Sequence, residues 1–148
     1  MSLTEPSNEF SREDIRGPSL VHVRNRLVEA IKDQSAPYSV WVNIEDPSMA
    51  YTIVSTYGDA LNRRILDSCI SEPRTIMEIL NITGISQTTG YRKIMSLIKN
   101  NFLLAHHIVR RSGAKQVNSY ISLFKEIEFH MSKNQELIRV KFQDALKN

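Results

Sequence analysis

The sequence has one cysteine, no long apolar run, and no Asp or Glu between Glu78 and Glu126. With Cys69 alone, no disulfide can close within the chain, which fits a reducing compartment. No run approaches the ~18 apolar residues of a membrane-spanning helix. The polar start, Thr4-Glu5-Pro6-Ser7-Asn8-Glu9, lacks the basic and apolar regions of a signal peptide. A cytoplasmic protein without membrane contact is expected. Catalytic patterns are missing too. There is no nucleophile motif, no Gly-rich phosphate loop and no metal-ligand pair at helical spacing. Asp59 and Asp67 form no evident acid–base couple. Neither an enzyme nor a bound cofactor is expected.

What is present is a soluble composition with an uneven charge. Apolar residues make up 41% and charged residues 24% of the 148, ordinary for one domain with a real core. The net charge of +3 hides a division: residues 1–50 sum to −3 and the remainder to +6. Within the acid-free window stand Arg92, Lys93, Lys99, Arg110, Arg111, Lys115 and Lys125. Such a surface is suited to a polyanion, nucleic acid first.

The hydrophobic period changes along the chain. Residues 1–18 mix acids with Ser, Pro and Gly and read as a disordered acidic arm. Leu20, Val23, Leu27, Val28 and Ile31 follow a helix face that Ser19 can cap and that ends near Gln34. Tyr38, Val40, Val42 and Ile44 alternate as a short strand closed by Asp46-Pro47, its partner unnamed. Residues 49–57 read as helical. After Gly58, Asp59 can cap a helix with Leu61, Ile65 and Cys69 on its core face. Thr75 and Glu78 fit a capping box for a short helix that stops before Gly84. Ser86 is then expected to cap a third helix with Gly90, Ile94, Leu97 and Ile98 inward, closed at Asn100-Asn101, where Asn101 can turn left-handed. Strands are expected at 102–109, along 117–131 and at 137–142, with turns at Ser112-Gly113 and Lys133-Asn134-Gln135.

Three short helices followed by a basic hairpin is the plan of a winged helix-turn-helix. Ser86-Gln87-Thr88-Thr89-Gly90-Tyr91-Arg92 has the Ser-Gln-x-Thr-x-x-Arg start, and Asn101-Phe102-Leu103-Leu104 the apolar exit, of a recognition helix. On these residues, 51–131 resemble archaeal and bacterial ArsR-type winged-helix transcription regulators. The resemblance implies an α+β fold, with a three-helix core, a β-wing, an N-terminal helical extension and a C-terminal β-hairpin. It implies a homodimer that binds double-stranded DNA, with half-sites about one turn apart. With the segments read above, the chain divides into the arm at 1–18, a dimerisation or sensing segment at 19–50, the DNA-binding domain at 51–131, and the C-terminal strand and tail at 132–148.

Side-chain chemistry agrees with that resemblance. Gln87 can pair with adenine, Arg92 with guanine, and the Thr88 and Thr89 methyls can touch thymine. Ser86 heads the helix, where unbonded amides attract an anion. Tyr91 and Lys93 can reach phosphates, although Tyr91 can equally pack on the preceding helix. Arg110, Arg111 and Lys115 flank the wing turn and can approach the backbone or minor groove. Neutralising ~4–6 phosphates per subunit would make binding steeply salt-dependent. The alternative is a winged-helix protein-interaction module in a transcription or other assembly, and a weaker one is a sensor whose DNA affinity follows a small effector. Tyr38 and Trp41 are expected at an interface rather than in a ligand pocket. The acidic arm can meet another protein. His106-His107 and His130 raise metal sensing, but the helix before the turn has no paired cysteines, and adjacent strand histidines point to opposite faces. No metal site is expected, and Cys69 reads as a buried small hydrophobe.

Overall fold

A computed structural model describes residues 40–110 and 116–143. The expected arm at 1–18, the helix at 19–34, Tyr38, Arg111 and Lys115 lie outside the described residues. The fold is α+β, with four helices and two three-stranded antiparallel sheets among the described residues. In chain order these are β1 (Val42–Asn43), α1 (Pro47–Tyr57), α2 (Ala60–Ser68), β2 (Arg74–Thr75), α3 (Ile76–Thr83), α4 (Gln87–Lys99), β3 (Leu103–Arg110), β4 (Gln116–Ser122), β5 (Phe124–Ser132) and β6 (Gln135–Phe142). None of these helices is long and apolar enough to cross a membrane.

Local chemistry sets the helix starts. Asp46-Pro47, expected to close a strand, also opens α1. Asp46 is extended and its carboxylate accepts the Ser48 amide at 3.3 Å, while Pro47 takes the first turn, where a missing N–H costs nothing. Asp59 caps α2 by accepting from the Leu61 and Asn62 amides at 2.9 and 3.0 Å. The capping box opens α3: Thr75 Oγ1 accepts the Glu78 amide at 3.2 Å, and Glu78 Oε1 accepts the Thr75 amide at 2.8 Å. Ser86 departs from expectation. Its side chain makes no cap hydrogen bond, and at this exposed end water can serve the first amides of α4.

The helix ends follow backbone stereochemistry. Gly84 stops α3 with φ 68° and returns its amide to Leu80 O at 3.0 Å. Asn101 stops α4 with φ 66°. The Asn101 amide bonds Ile98 O at 3.1 Å and the Phe102 amide bonds Leu97 O at 2.9 Å. This paired return is a Schellman motif, and it turns Phe102 into the core.

One sheet has the order β2-β4-β3, the other β1-β6-β5. The first contains a two-residue strand, β2, that pairs Arg74 with Tyr120. Of the strand expected at 38–44, the described residues pair at Val42–Asn43, and the partner is β6. The expected strand at 117–131 divides at Leu123, with β4 on one side and β5 on the other. The cause is local: the Leu123 amide bonds Phe102 O and its carbonyl accepts the Gln143 amide, both at 2.9 Å, so the chain passes from one sheet to the other. Ser122 anchors the transfer through Oγ to Leu66 O at 2.6 Å. The hairpin of β5 and β6 runs from Phe124 opposite Phe142 to Ser132 opposite Gln135, across the division expected at 131/132.

A continuous core joins both sheets to the helices. Ile53, Ile65, Leu66, Ile79, Ile94 and Leu123 are fully buried in it with Val140. Phe124 is its aromatic centre, 6.2 Å from Phe102 and 5.4 Å from Phe142 between ring centroids, with Tyr57 at 6.4 Å. Burial of this kind contributes ~1.5–3 kcal/mol per large side chain. It holds α2, α3 and α4 as one unit.

Candidate nucleic-acid interface

Helix α4 separates two faces. Gly90, Ile94 and Leu97 are buried, and Thr88, Arg92, Ser96 and Lys99 are exposed on the far side. Ser86 and Gln87 are exposed at its start, Thr89 is half-buried, and Tyr91 is 51% exposed. Tyr91 therefore presents about half of its surface to solvent. The face holds donors, methyl groups and cations, and no carboxylate in its own sequence. It can hydrogen-bond base edges and attract phosphates.

Gly90 faces the Leu80 side chain of α3 and the Ile85 side chain of the turn. A Cβ there would run into Leu80 Cδ2 and stand 3.4 Å from Ile85 Cγ2. The turn between the helices is held from outside as well. The Arg64 guanidinium on α2 donates to the Thr83 carbonyl, the last of α3 before the left-handed Gly84. Sequence reasoning missed Arg64, because nothing in its local pattern points to a carbonyl on another helix.

Lys93, expected to reach phosphate, has a partner within the chain. Its Nζ lies 2.8 Å from Asp59 Oδ2 at the start of α2, so the ammonium is in an ion pair within the chain. The hydrogen bond from Lys93, followed by that from the Asn62 amide, holds the Asp59 carboxyl below the usual carboxylate range. Asp59 was read only as a cap, and its second role had no sequence signal.

The β3–β4 hairpin extends to Arg110 opposite Gln116, with Ile108 exposed along it. Arg110 ends β3, while the expected tip residues Arg111 and Lys115 are not among the described residues. The register shifts between Ala105 and His107. The extra residue on β3 at that point is His106. Among the described residues no group of three or more His, Cys, Asp or Glu could hold a metal ion. Cys69 is buried, and burial pushes its thiol up to about 11.

Trp41 is engaged within the C-terminal sheet. The Arg139 guanidinium and the Lys141 ammonium each lie 4.8 Å from its ring centre. Those cations also pair with Glu128 and Glu126 on β5. A cleft of about 240 Å³ between α2 and β5, lined in part by Tyr57, Asp67, Phe124 and Ile127, does not include Trp41. No family model matches this chain, and no curated protein or solved structure matches it.

Proposed function

We propose that this chain is a sequence-specific DNA-binding transcription regulator of winged helix-turn-helix form, similar to the ArsR-type regulators and acting as a homodimer. The observation that carries the reading is the exposed face of α4, free of acids along its length and backed by the buried stripe of Gly90, Ile94 and Leu97. The strand order β2-β4-β3 behind α2, α3 and α4 supports it, since a hairpin beside the last helix is where a wing belongs.

In this reading α3 rests across the backbone and α4 enters the major groove N-terminus first. Gln87 takes an adenine edge, Arg92 a guanine, and Thr88 and Thr89 offer methyls to thymine. Ser86 and Tyr91 lie at the phosphate margin. Arg110, Arg111 and Lys115 belong to the wing and touch the backbone or a narrow minor groove. Arg92→Ala should weaken binding to the preferred sequence by ~1–3 kcal/mol and relax one base position. A selection from random duplexes, repeated with the variant, reads both effects. Unchanged affinity and an unchanged consensus would remove α4 from the reading role.

A second reading draws on Tyr91 and Met95, 51% and 42% exposed on the same helix. Apolar groups there favour a module whose α4 packs on a protein. Such packing would be nearly insensitive to salt, whereas phosphate contacts are not.

A further inference from the structure

The acid-free window is free of acids only along the sequence. In space, α2 brings Asp59 to it. The Asp59 carboxylate makes three bonds at once. Oδ1 accepts the Leu61 and Asn62 amides at 2.9 and 3.0 Å, and Oδ2 meets Lys93 Nζ at 2.8 Å. The first-turn amides of a helix and a lysine ammonium are the two features that draw a phosphate oxygen. Here a carboxylate of the chain itself occupies both. The pair is semi-enclosed, with the Lys93 side chain 17% and the Asp59 side chain 38% exposed. Lys93 is set to one side of the buried stripe of α4, toward α2, while Thr88, Arg92 and Lys99 lie on the opposite face.

We propose that Asp59 is a specificity-determining residue of the DNA-binding surface: an internal counter-anion that withholds Lys93 from the phosphate backbone and so lowers sequence-independent affinity. This rests on the DNA-binding reading above. Non-specific binding grows with each phosphate that a cation neutralises, and each adds ~0.9 to the salt slope. Specificity is the ratio of site-specific to non-specific affinity. A lysine committed to Asp59 adds nothing to the non-specific side, while the base-reading residues Gln87 and Arg92 are untouched.

Four proteins decide the matter: wild type, Asp59→Asn, Lys93→Gln and the double variant. Each is titrated with a random-sequence duplex by fluorescence anisotropy at several salt concentrations. Asn still offers a capping oxygen to the α2 amides, and a thermal melt checks that the variant folds. Asp59→Asn is expected to bind about three- to tenfold tighter at low salt and to steepen the slope by ~0.9. Lys93→Gln should keep the wild-type slope, and the double variant should return to it. The proposal is overturned if Asp59→Asn leaves the slope unchanged, or if the double variant keeps the steeper one. It is also overturned if Lys93→Gln alone loses ~0.9, since Lys93 would then already be touching phosphate. That last comparison stands even if Asp59→Asn does not fold. Wild-type protein that binds no duplex at any salt removes the DNA-binding reading itself, a result distinct from wild-type binding with unresponsive variants.

Discussion

Gly90 is the residue of α4 against which the Leu80 side chain of α3 packs. Its missing Cβ leaves room for Leu80, and Gly90→Ala would force that side chain aside. Overpacking of this kind costs ~1–3 kcal/mol, against a gain of up to ~1 kcal/mol from helix propensity. Urea unfolding should show net destabilisation, smaller in a Leu80→Ala background because the obstacle is gone. A penalty equal in both backgrounds would contradict the contact. Gly90 was legible in the sequence as an inward position, because it falls on the period of Ile94 and Leu97. Asp59, Arg64 and Lys93 were not legible as partners, since ion pairs and carbonyl contacts between helices leave no periodic trace. Cys69 was readable from its spacing to Leu61 and Ile65, and burial raises its thiol above the usual range to about 11. Burial likewise raises the Tyr57 hydroxyl. Both groups are held protonated when folded, so their contribution is complete below the unfolded pKa. It is lost as pH rises through the folded value. From Cys69 alone, stability should fall by on the order of 2–3 kcal/mol between about pH 9 and 11. The melting temperature across that range reads it, and Cys69→Ala should flatten the decline. Cys69 in the folded protein should also resist thiol reagents at pH 8.

Among the elements, those made by neighbouring residues were the readable ones. The Thr75–Glu78 capping box, the Gly84 stop and the left-handed Asn101 are local chemistry, and each stands where its residues put it. Thr75→Ala should cost ~1 kcal/mol, the usual value of a cap, measured by denaturant midpoint at constant slope. Asn101→Val should cost ~1–2 kcal/mol through left-handed strain, and Asn101→Gly should cost little. Equal effects of Val and Gly would contradict the Schellman turn. The elements that escaped the sequence are those defined by distant partners. β2 is two residues that become a strand only opposite Ser119 and Tyr120. The division of the run 117–131 at Leu123 depends on bonds to Phe102 and Gln143, neither of which is near in sequence. Alternation reads the same on both sides of Leu123, so period alone cannot reveal a change of sheet. Asp46-Pro47 is a simpler lesson: the same pair ends an extended segment and starts a helix, and only the first role was foreseen.

For the whole molecule, charge and core are arranged on different plans. The core runs without a break from α1 through α2, α3 and α4 into both sheets, with Phe124 at the junction. Acids and bases on the outer side of the C-terminal sheet pair across strands, Glu126 with Lys141 and Glu128 with Arg139. Surface pairs of this kind contribute ~0–1 kcal/mol each and neutralise their neighbourhood. On α4 the cations Arg92 and Lys99 are outward on an acid-free face, and among the described residues Lys93 is answered by a carboxylate. The sequence divides the window into a helix and a wing but gives no partner for Lys93. Folding sorts the window into an outward face, a paired lysine and a β-hairpin, because helix period and inter-helix packing decide which cations meet water. The most direct test of the DNA-binding account is a titration of the wild-type protein with duplex DNA over a series of salt concentrations. Contacts with ~4–6 phosphates predict that log K falls against log salt with a slope of roughly −4 to −5 per subunit. Binding that is absent, or that does not change with salt, would contradict it.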